Sequence, residues 1–467
     1  MRSMKIKRIA DNKFYALLLA IAGITNLIML ITFEYCDLDS MTAWTFDFWD
    51  LFFQGRLDEF YRYAALQTHG AFHVNCGGNY LWLLPWCIWN LPLWIVHSLS
   101  GVVLVTNFWS LCWSKLYLLL FQWVLAHYTA KICALFITQK TRLMLVYLLV
   151  FASPEVMMSV GYAGQDEIVY MALFVAGLYY ALCGQKKKTY LMMVITVSFC
   201  PIMILPVIML FILMEKNIPK IIISVCGTVV PLLLFEAAYQ NSMAYQGAKA
   251  LNDFWAMIQS MLMGTAVLGR IENISIGGVL LVLLYFFCYQ IKTDSDDFKH
   301  KVIYAQTAVF LIICFLMTVE YYRLFLYVPL LVILIVISGQ NERVNLFLLA
   351  VLTYGRAFIA CATNRPQNMN TGYVMKNSWV TRLCDWAGSS KYVEGRSLYE
   401  YWLSAERMET LFTIVISSTV ACMIILFVIN YPGFKKKYDV EIAPRLSIAA
   451  YCACMPMVLL VFFVTLL

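Results

Sequence analysis

Charged residues are scarce in this chain of 467 amino acids: Asp, Glu, Lys and Arg together make up 13% of it. An ordinary soluble domain carries about 25%. The shortage of polar surface excludes a cytosolic enzyme, a disordered chain and a nucleic-acid-binding domain. Histidine is also rare, and the five His residues are too scattered to predict a metal cage. We find neither an internal repeat nor a low-complexity linker.

Hydrophobic residues fill the space that charge leaves, at 62% of the chain and a mean hydropathy of +0.75. Long apolar runs recur from the first residues to the last, which is typical of a multi-pass membrane protein. We therefore predict an all-α, polytopic transmembrane helical bundle of about 11–13 spans, some of them re-entrant or broken. The lipid bilayer is its first expected partner.

Basic residues predict the orientation, because Lys and Arg mark the cytoplasmic side. One group precedes the apolar run at residues 14–33: Arg2, Lys5, Lys7, Arg8 and Lys13. Others lie between later runs: Lys140 and Arg142; Lys186, Lys187 and Lys188; Lys216 and Lys220; Lys435, Lys436 and Lys437. These marks predict a cytoplasmic N-terminus and outer loops at residues 34–79, 240–273 and 362–407. The first run is too long for a signal-peptide core.

Two apolar stretches do not fit a simple count of crossings. Pro201 and Pro206 predict that residues 190–213 break into two half-helices. Residues 80–111 fit either a helical hairpin or one crossing with an interfacial segment. We predict an N-terminal transmembrane module at residues 1–215 and a C-terminal transmembrane module at residues 216–467.

The first outer loop is unusually acidic. Seven Asp and Glu residues lie between positions 34 and 59. Apolar residues at helical spacing predict an amphipathic helix in the membrane interface, ended by Gly55. Asp37 and Asp39 precede it, and alternation in an extended segment would place both on one side. Each is a candidate general base at the membrane surface, although acidic runs are more often solvated helix faces.

A second acidic site follows at Gln165, Asp166 and Glu167, on the same predicted outer face. A pair of acidic sites facing one cleft suits paired-carboxylate chemistry, or a metal. Equally, Asp166 and Glu167 suit the start of a helix, where the dipole favours acids.

Arginine is a natural partner of phosphate, so Arg323 and Arg356 are candidate ligands. Interfacial anchoring by snorkelling explains both equally well. Lys115 beside an apolar run carries the same two interpretations.

Several motifs resemble the membrane-embedded glycosyltransferases of the GT-C class, in particular the mannosyltransferase type that uses polyprenyl-phosphate sugars. They are the acidic loop with Asp37 and Asp39; Lys115 opening a helix; Ser153-Pro154, then Gly164-Gln165 with Asp166 or Glu167; Cys200-Pro201 with Pro206; and Tyr321-Tyr322-Arg323 with Tyr327 and Pro329. The likeness covers roughly residues 20–215 and is weaker over the rest of the chain. Cys200 and Ser153 depart from it, standing where relatives often have Lys and Asn.

The resemblance implies transfer of a sugar, on the extracytoplasmic face, from a polyprenyl-phosphate donor to a glycan or lipid-linked acceptor hydroxyl, with inversion. It makes Asp39, Asp37, Asp166 and Glu167 catalytic candidates and Gln165, Arg323, Arg356, Tyr322 and Lys115 substrate-binding candidates. The loop stretch from Ala250 to Leu262 would cover the donor. Relatives differ on whether a divalent cation, Mg²⁺ or Mn²⁺, sits between the acidic sites.

Two other functions suit the same composition. A transporter or flippase of lipid-linked sugars would carry pseudo-repeats and ionisable residues deep in its spans. An outward-facing polysaccharide polymerase or ligase would also use a lipid-linked substrate.

Overall fold

A computed structural model describes most of the chain. The described residues are 2–66, 80–102, 104, 107–251, 265–268, 271–316, 325–339, 341–363, 372–374, 379–386, 405–434, 436–438 and 441–466.

Helices make up nearly all of the regular structure, as the apolar runs predict. In chain order they are α1 (Arg2–Thr32), α2 (Cys36–Gln54), α3 (Phe60–Leu66), α4 (Leu84–Ser100), α5 (Phe108–Ala134), α6 (Lys140–Phe151), α7 (Pro154–Met157), α8 (Glu167–Leu182), α9 (Lys186–Phe199), α10 (Ile204–Met214), α11 (Ile218–Tyr239), α12 (Met243–Leu251), α13 (Ile276–Gln290), α14 (Phe298–Leu316), α15 (Val328–Ser338), α16 (Glu342–Thr363), α17 (Trp379–Trp386), α18 (Ala405–Ile429) and α19 (Pro444–Leu466). The all-α fold class is therefore confirmed.

Two small antiparallel sheets accompany the helices, each of two strands. Strand β1 (Phe33–Tyr35) pairs with β4 (Gly372–Val374), with Phe33 opposite Val374. Strand β2 (Thr265–Leu268) pairs with β3 (Ile271–Ser275) through an irregular register. Most of their residues lie in the segments predicted to be outer loops, at 34–79, 240–273 and 362–407.

The chain is a multi-pass membrane protein. Six described helices are long and apolar enough to cross a bilayer: Asn12–Thr32, Phe108–Ala134, Ile218–Tyr239, Glu342–Ala362, Glu409–Ile429 and Pro444–Val464. A seventh span results if α6 and the helical segment Pro154–Ala163, bent by 47°, cross together. The predicted 11–13 spans also included runs that form shorter helices, such as α8 with 16 residues and α15 with 11. The cytoplasmic N-terminus and the outer loops stay predictions.

The break in residues 190–213 is confirmed, because α9 ends at Phe199 and a 3₁₀ turn, Pro201–Met203, leads into α10. Cys200 is extended, with φ −137°, as the residue before a proline is expected to be. The prolines act differently, since Pro206 lies within α10. In the described part of residues 80–111, the one complete α-helix is α4, with 17 residues, and it ends where Gly101 takes a φ of +67°. No helical hairpin forms in their described part.

Contacts group the helices into two units that do not follow the predicted modules at residues 1–215 and 216–467. The first unit contains Met1–Tyr35, Gln122–Gln165 and Val328–Leu467. The second contains Cys36–Phe121 and Asp166–Tyr327. Helices far apart in sequence pack together within each unit, which a division by position along the chain does not capture.

Within the first unit, buried polar groups join its helices. Asn345 of α16 and Asn430, just after α18, exchange amide hydrogen bonds of 2.9 and 2.8 Å. The Tyr451 hydroxyl of α19 donates to the Leu149 carbonyl of α6 at 2.6 Å. Such bonds satisfy polar groups that a bilayer cannot solvate.

In the second unit, Lys216 connects the ends of two helices. Its ammonium donates to the carbonyls of Ile212, at 2.9 Å, and Cys288, at 3.0 Å. These carbonyls lie in the last turns of α10 and α13, where a cation is favourable; the Cys288 carbonyl also accepts from the Ile291 amide at 3.2 Å. Burial lowers the pKa of Lys216.

We expect Lys216→Met to destabilise the protein by about 1–2 kcal/mol, because it removes two charge-assisted hydrogen bonds. Thermal unfolding in detergent measures the change. The matched control is Lys220→Met, which alters an exposed lysine in the first turn of α11. Equal losses of thermal stability in the two variants would contradict the role given to Lys216.

Candidate active site

The acidic first loop forms helix α2, and Asp37 and Asp39 lie in its first turn. The predicted extended segment is therefore wrong: residues two apart on a helix point about 200° away from each other. The helix ends at Gln54 and Gly55 has a φ of +68°, which confirms the predicted stop. Only the three residues of β1, Phe33–Tyr35, separate the first span from α2, so Asp37 and Asp39 lie inside the helix and not before it.

The acidic side of α2, which was predicted to lie at a water boundary, is buried instead. Every residue from Leu38 to Phe48 is buried, and only the last turn, with Phe52 and Phe53, is exposed. The carboxylates are therefore inside the protein rather than at a water boundary: Asp39 is 6% exposed and Asp47 0%. Packing by surrounding helices covers a face that its sequence alone marks as polar.

A hydrogen-bond network joins α2 to α4 and α5. Thr42 donates to Ser114 at 3.1 Å. Asn90, fully buried on α4, donates to Thr45 at 3.0 Å and to Ser114 at 3.2 Å. We call Thr42, Thr45, Asn90 and Ser114 the polar junction. Each of the three helices contributes a hydroxyl or amide to it, so their relative positions are fixed by directional bonds.

Tryptophan indoles reinforce the same packing. Trp49 of α2 donates to the Cys87 carbonyl of α4, and Trp94 donates to the Asp50 carboxylate, both at 2.8 Å. Trp89 and Trp113 donate to each other's carbonyls at 2.8 and 3.1 Å, with their rings stacked. Within the tryptophan-rich segment at residues 82–94, Trp89 and Trp94 therefore hold helices together through their N–H groups.

Lys115 follows Ser114 on α5 and is fully buried. It lies two turns inside the helix, which begins at Phe108, and not at its start as predicted. Helix α5 is also a candidate membrane span. An ammonium buried there requires negative charge or hydrogen-bond acceptors nearby. The same unit contains the buried carboxylates Asp39, Asp47 and Glu167.

The second acidic site opens helix α8. Asp166 occupies the N-cap position without a side-chain capping bond, and Glu167 is the first helical residue and 2% exposed. The predicted helix start is thus confirmed. The Asp166 carboxylate also lies close enough to the buried hydroxyl of Tyr117 on α5 to interact with it electrostatically. The site therefore approaches the face of α5 that carries the polar junction.

The charges of Asp47 and Asp50 on α2 also act on the phenol of Tyr63, which lies on α3. Burial is the main cause that raises the pKa of Tyr63, and the negative charges of Asp47 and Asp50 raise it further. The hydroxyl of Tyr63 is therefore protonated at neutral pH and remains a hydrogen-bond donor. Asp47 was counted among the acidic residues of the loop, but periodicity gave no reason to expect its complete burial.

The remaining candidates are distributed elsewhere. Gln165 belongs to the first unit, where its amide N–H donates to the Ser159 carbonyl at 3.0 Å after Gly164 turns the chain with a φ of +62°. Arg356 is half-buried within α16 of the first unit. Tyr322 and Arg323 lie outside the described residues, as does most of the loop stretch from Ala250 to Leu262.

The described residues do not fit a metal centre. Among them, no group of three or more His, Cys, Asp or Glu side chains is arranged to hold a metal ion. The divalent cation that the resemblance leaves open therefore has no set of ligands in this part of the chain.

Comparison with protein-family models, with curated proteins and with solved structures returns no match. The candidate site therefore has to be interpreted from its own geometry.

The residues that sequence analysis missed are those of the polar junction and Tyr117, whose ring packs against that of Trp86. Trp86 is fully buried, its ring centroid is 5.3 Å from that of Tyr117, and its indole N–H has no hydrogen-bond partner among the described residues. One sequence signal could have found Asn90, since an amide in the middle of an apolar helix needs a partner in a bilayer.

We expect Asn90→Ala to destabilise the second unit by about 2 kcal/mol, because it leaves buried hydroxyls short of a partner and opens a cavity. Thermal unfolding and maleimide labelling of the buried Cys112 on α5 report the loss. Gln240→Ala, at an exposed amide, is the control. If Asn90→Ala unfolds and labels like Gln240→Ala, the polar junction does not hold the helices.

Proposed function

We propose that this protein is a membrane glycosyltransferase that moves a sugar from a polyprenyl-phosphate donor to an acceptor hydroxyl. One observation carries the proposal: a buried carboxylate, Asp39, and a buried ammonium, Lys115, lie in one unit of a membrane protein, on helices joined by the Thr42–Ser114 hydrogen bond. A base for the acceptor and a cation for the leaving phosphate are the two charges that this reaction needs.

Asp39 is the better candidate for the base. It lies one helical turn before Thr42, at spacing i, i+3, and so shares a face with the residue that bonds to Ser114. Asp37 is five residues from Thr42 and half-buried. In the reaction the base removes the acceptor proton as the acceptor oxygen forms a bond to the anomeric carbon. The bond between that carbon and the lipid phosphate breaks at the same time, which inverts the configuration.

Lys115 suits the leaving group. The phosphate gains negative charge as it departs, and an ammonium in an apolar surrounding stabilises that charge more than it would in water. The indole N–H of Trp86 and the hydroxyl of Tyr117 are hydrogen-bond donors near the same part of α5.

A transporter of lipid-linked sugars is the second candidate, and the burial of Lys115 inside the candidate span α5 favours it. Ionisable groups inside spans often mark a substrate path. The two functions differ in outcome, since only the transferase cleaves the sugar–phosphate bond. Uptake of intact lipid-linked sugar by proteoliposomes, without release of polyprenyl phosphate, would select the transporter.

The transferase is tested by mixing the purified protein with polyprenyl-phosphate sugars and a membrane glycan extract and measuring released polyprenyl phosphate. We expect Asp39→Asn to reduce the rate about 100- to 10,000-fold, the usual contribution of a general base. Lys115→Met is expected to lose most activity as well. The matched control is Asp58→Asn, an exposed carboxylate of the same loop, which should keep the wild-type rate.

Asp37→Asn separates the two candidate bases. A large loss in Asp37→Asn with wild-type turnover in Asp39→Asn would transfer the role to Asp37. Full activity in both variants, in protein that unfolds at the wild-type temperature, would refute a first-loop base. An absence of turnover with every such donor would refute the transferase.

A further inference from the structure

The first unit contains an apolar groove of about 730 Å³ between α16, α18 and α19. All three helices contain candidate membrane spans. Phe347, Ile414 and Leu446 line the groove and are exposed, so that it opens on the outer surface of these spans. In a bilayer such a surface faces lipid, and a groove of this volume accommodates a hydrocarbon chain.

One end of the groove is defined by the connection between α18 and α19. Asn341, just before α16, donates to the Lys436 carbonyl at 3.3 Å and accepts from the Tyr438 amide at 3.0 Å. Asn430, just after α18, bonds to Asn345. The start of α16, the end of α18 and the start of α19 therefore lie together at this end.

The same end is basic. Four exposed cationic residues lie there: Arg343, Lys436, Lys437 and Arg445. Arg343 precedes the groove residue Phe347 by one turn, and Arg445 precedes Leu446. Among the residues that the structure describes at this end, two are acidic: Glu342 is paired with Arg142 at 2.7 Å, and Glu441 is exposed. The end of the groove is thus suited to an anionic headgroup.

A buried hydroxyl distinguishes between two kinds of anionic lipid. Ser447 lines the groove two residues after Arg445 and is 3% exposed, and its Oγ has no hydrogen-bond partner among the described residues. The ester carbonyl of a glycerophospholipid, at the top of its acyl chain, is an acceptor for this hydroxyl. An isoprenoid phosphate has no carboxylic ester, and so no carbonyl acceptor, at the corresponding place.

We propose that this groove is a binding site for an anionic glycerophospholipid, with an acyl chain between α16, α18 and α19, an ester carbonyl at Ser447, and the headgroup among Arg343, Arg445 and the neighbouring lysines. The site is separate from the proposed transferase chemistry and holds whether or not that activity is found.

Native mass spectrometry of the delipidated full-length protein tests the site, with phosphatidylglycerol and phosphatidylcholine of identical chains added in equal amounts. We expect preferential retention of one phosphatidylglycerol. Loss of each arginine, in Arg343→Gln and Arg445→Gln, should weaken it about fivefold. Ser447→Ala should weaken it by about the same factor.

A pair of adjacent serines provides the steric test. Ser418 lines the groove and is exposed, whereas its exposed neighbour Ser417 does not line it. Both Ser418→Leu and Ser417→Leu add the same apolar bulk to α18, but only Ser418 lines the groove. We therefore expect Ser418→Leu to displace the lipid and Ser417→Leu to keep it. The basic control is Lys186→Gln with Lys187→Gln, which removes exposed cations of the second unit and should leave binding unchanged.

Three results would overturn the proposal. The first is equal retention of phosphatidylglycerol and phosphatidylcholine by the wild-type protein. The second is equal lipid binding by Ser418→Leu and Ser417→Leu. The third is displacement of phosphatidylglycerol by an equal amount of polyprenyl phosphate, which would make the groove a site for an isoprenoid lipid.

Discussion

The hydrogen bonds of Asn90 to Thr45 and Ser114 are the constraint on which the candidate site depends. They join three helices inside an apolar protein, where a missing partner is costly and a correct one is directional. Asp39 on α2 and Lys115 on α5 are placed by these helices. Apolar packing alone would tolerate rotation or sliding of α2, and either would move the carboxylate away from the face that Thr42 shares with Ser114.

Much of the fold follows from the sequence, because apolar runs, Gly55 and the Cys200-Pro201 pair act through local backbone chemistry. The environment of α2 does not. Its periodicity describes one polar and one apolar face, but burial from Leu38 to Phe48 depends on helices that arrive later in the chain. Lys115 illustrates the same limit, since a lysine beside an apolar run is compatible with a helix end, and only the start of α5 at Phe108 places it inside.

The candidate site was predictable in its charges and not in its supporting groups. Asp37, Asp39, Asp166 and Glu167 attract notice because acids are rare in an apolar chain. Ser114 and Thr42 do not, since hydroxyls in membrane helices often bond to their own backbone. Their significance comes from a bond that spans 72 positions in the sequence. A pairing of that range follows from tertiary structure alone, as does the assignment of Gln165 and Asp166 to different units.

The basic residues can be explained in two ways that differ in what surrounds them. Insertion into a membrane requires only that Lys and Arg remain on one side, and it places no demand on nearby surfaces. For Lys186, Lys187 and Lys188, at the start of α9, this rule is the predicted explanation. Arg343 and Arg445 satisfy it too, but an apolar groove and a buried hydroxyl lie next to them. Membrane topology explains why these two residues are cationic. It does not explain the apolar groove beside them, or the Ser447 hydroxyl that has no partner among the described residues. A lipid that uses the charge, the groove and Ser447 together accounts for all three.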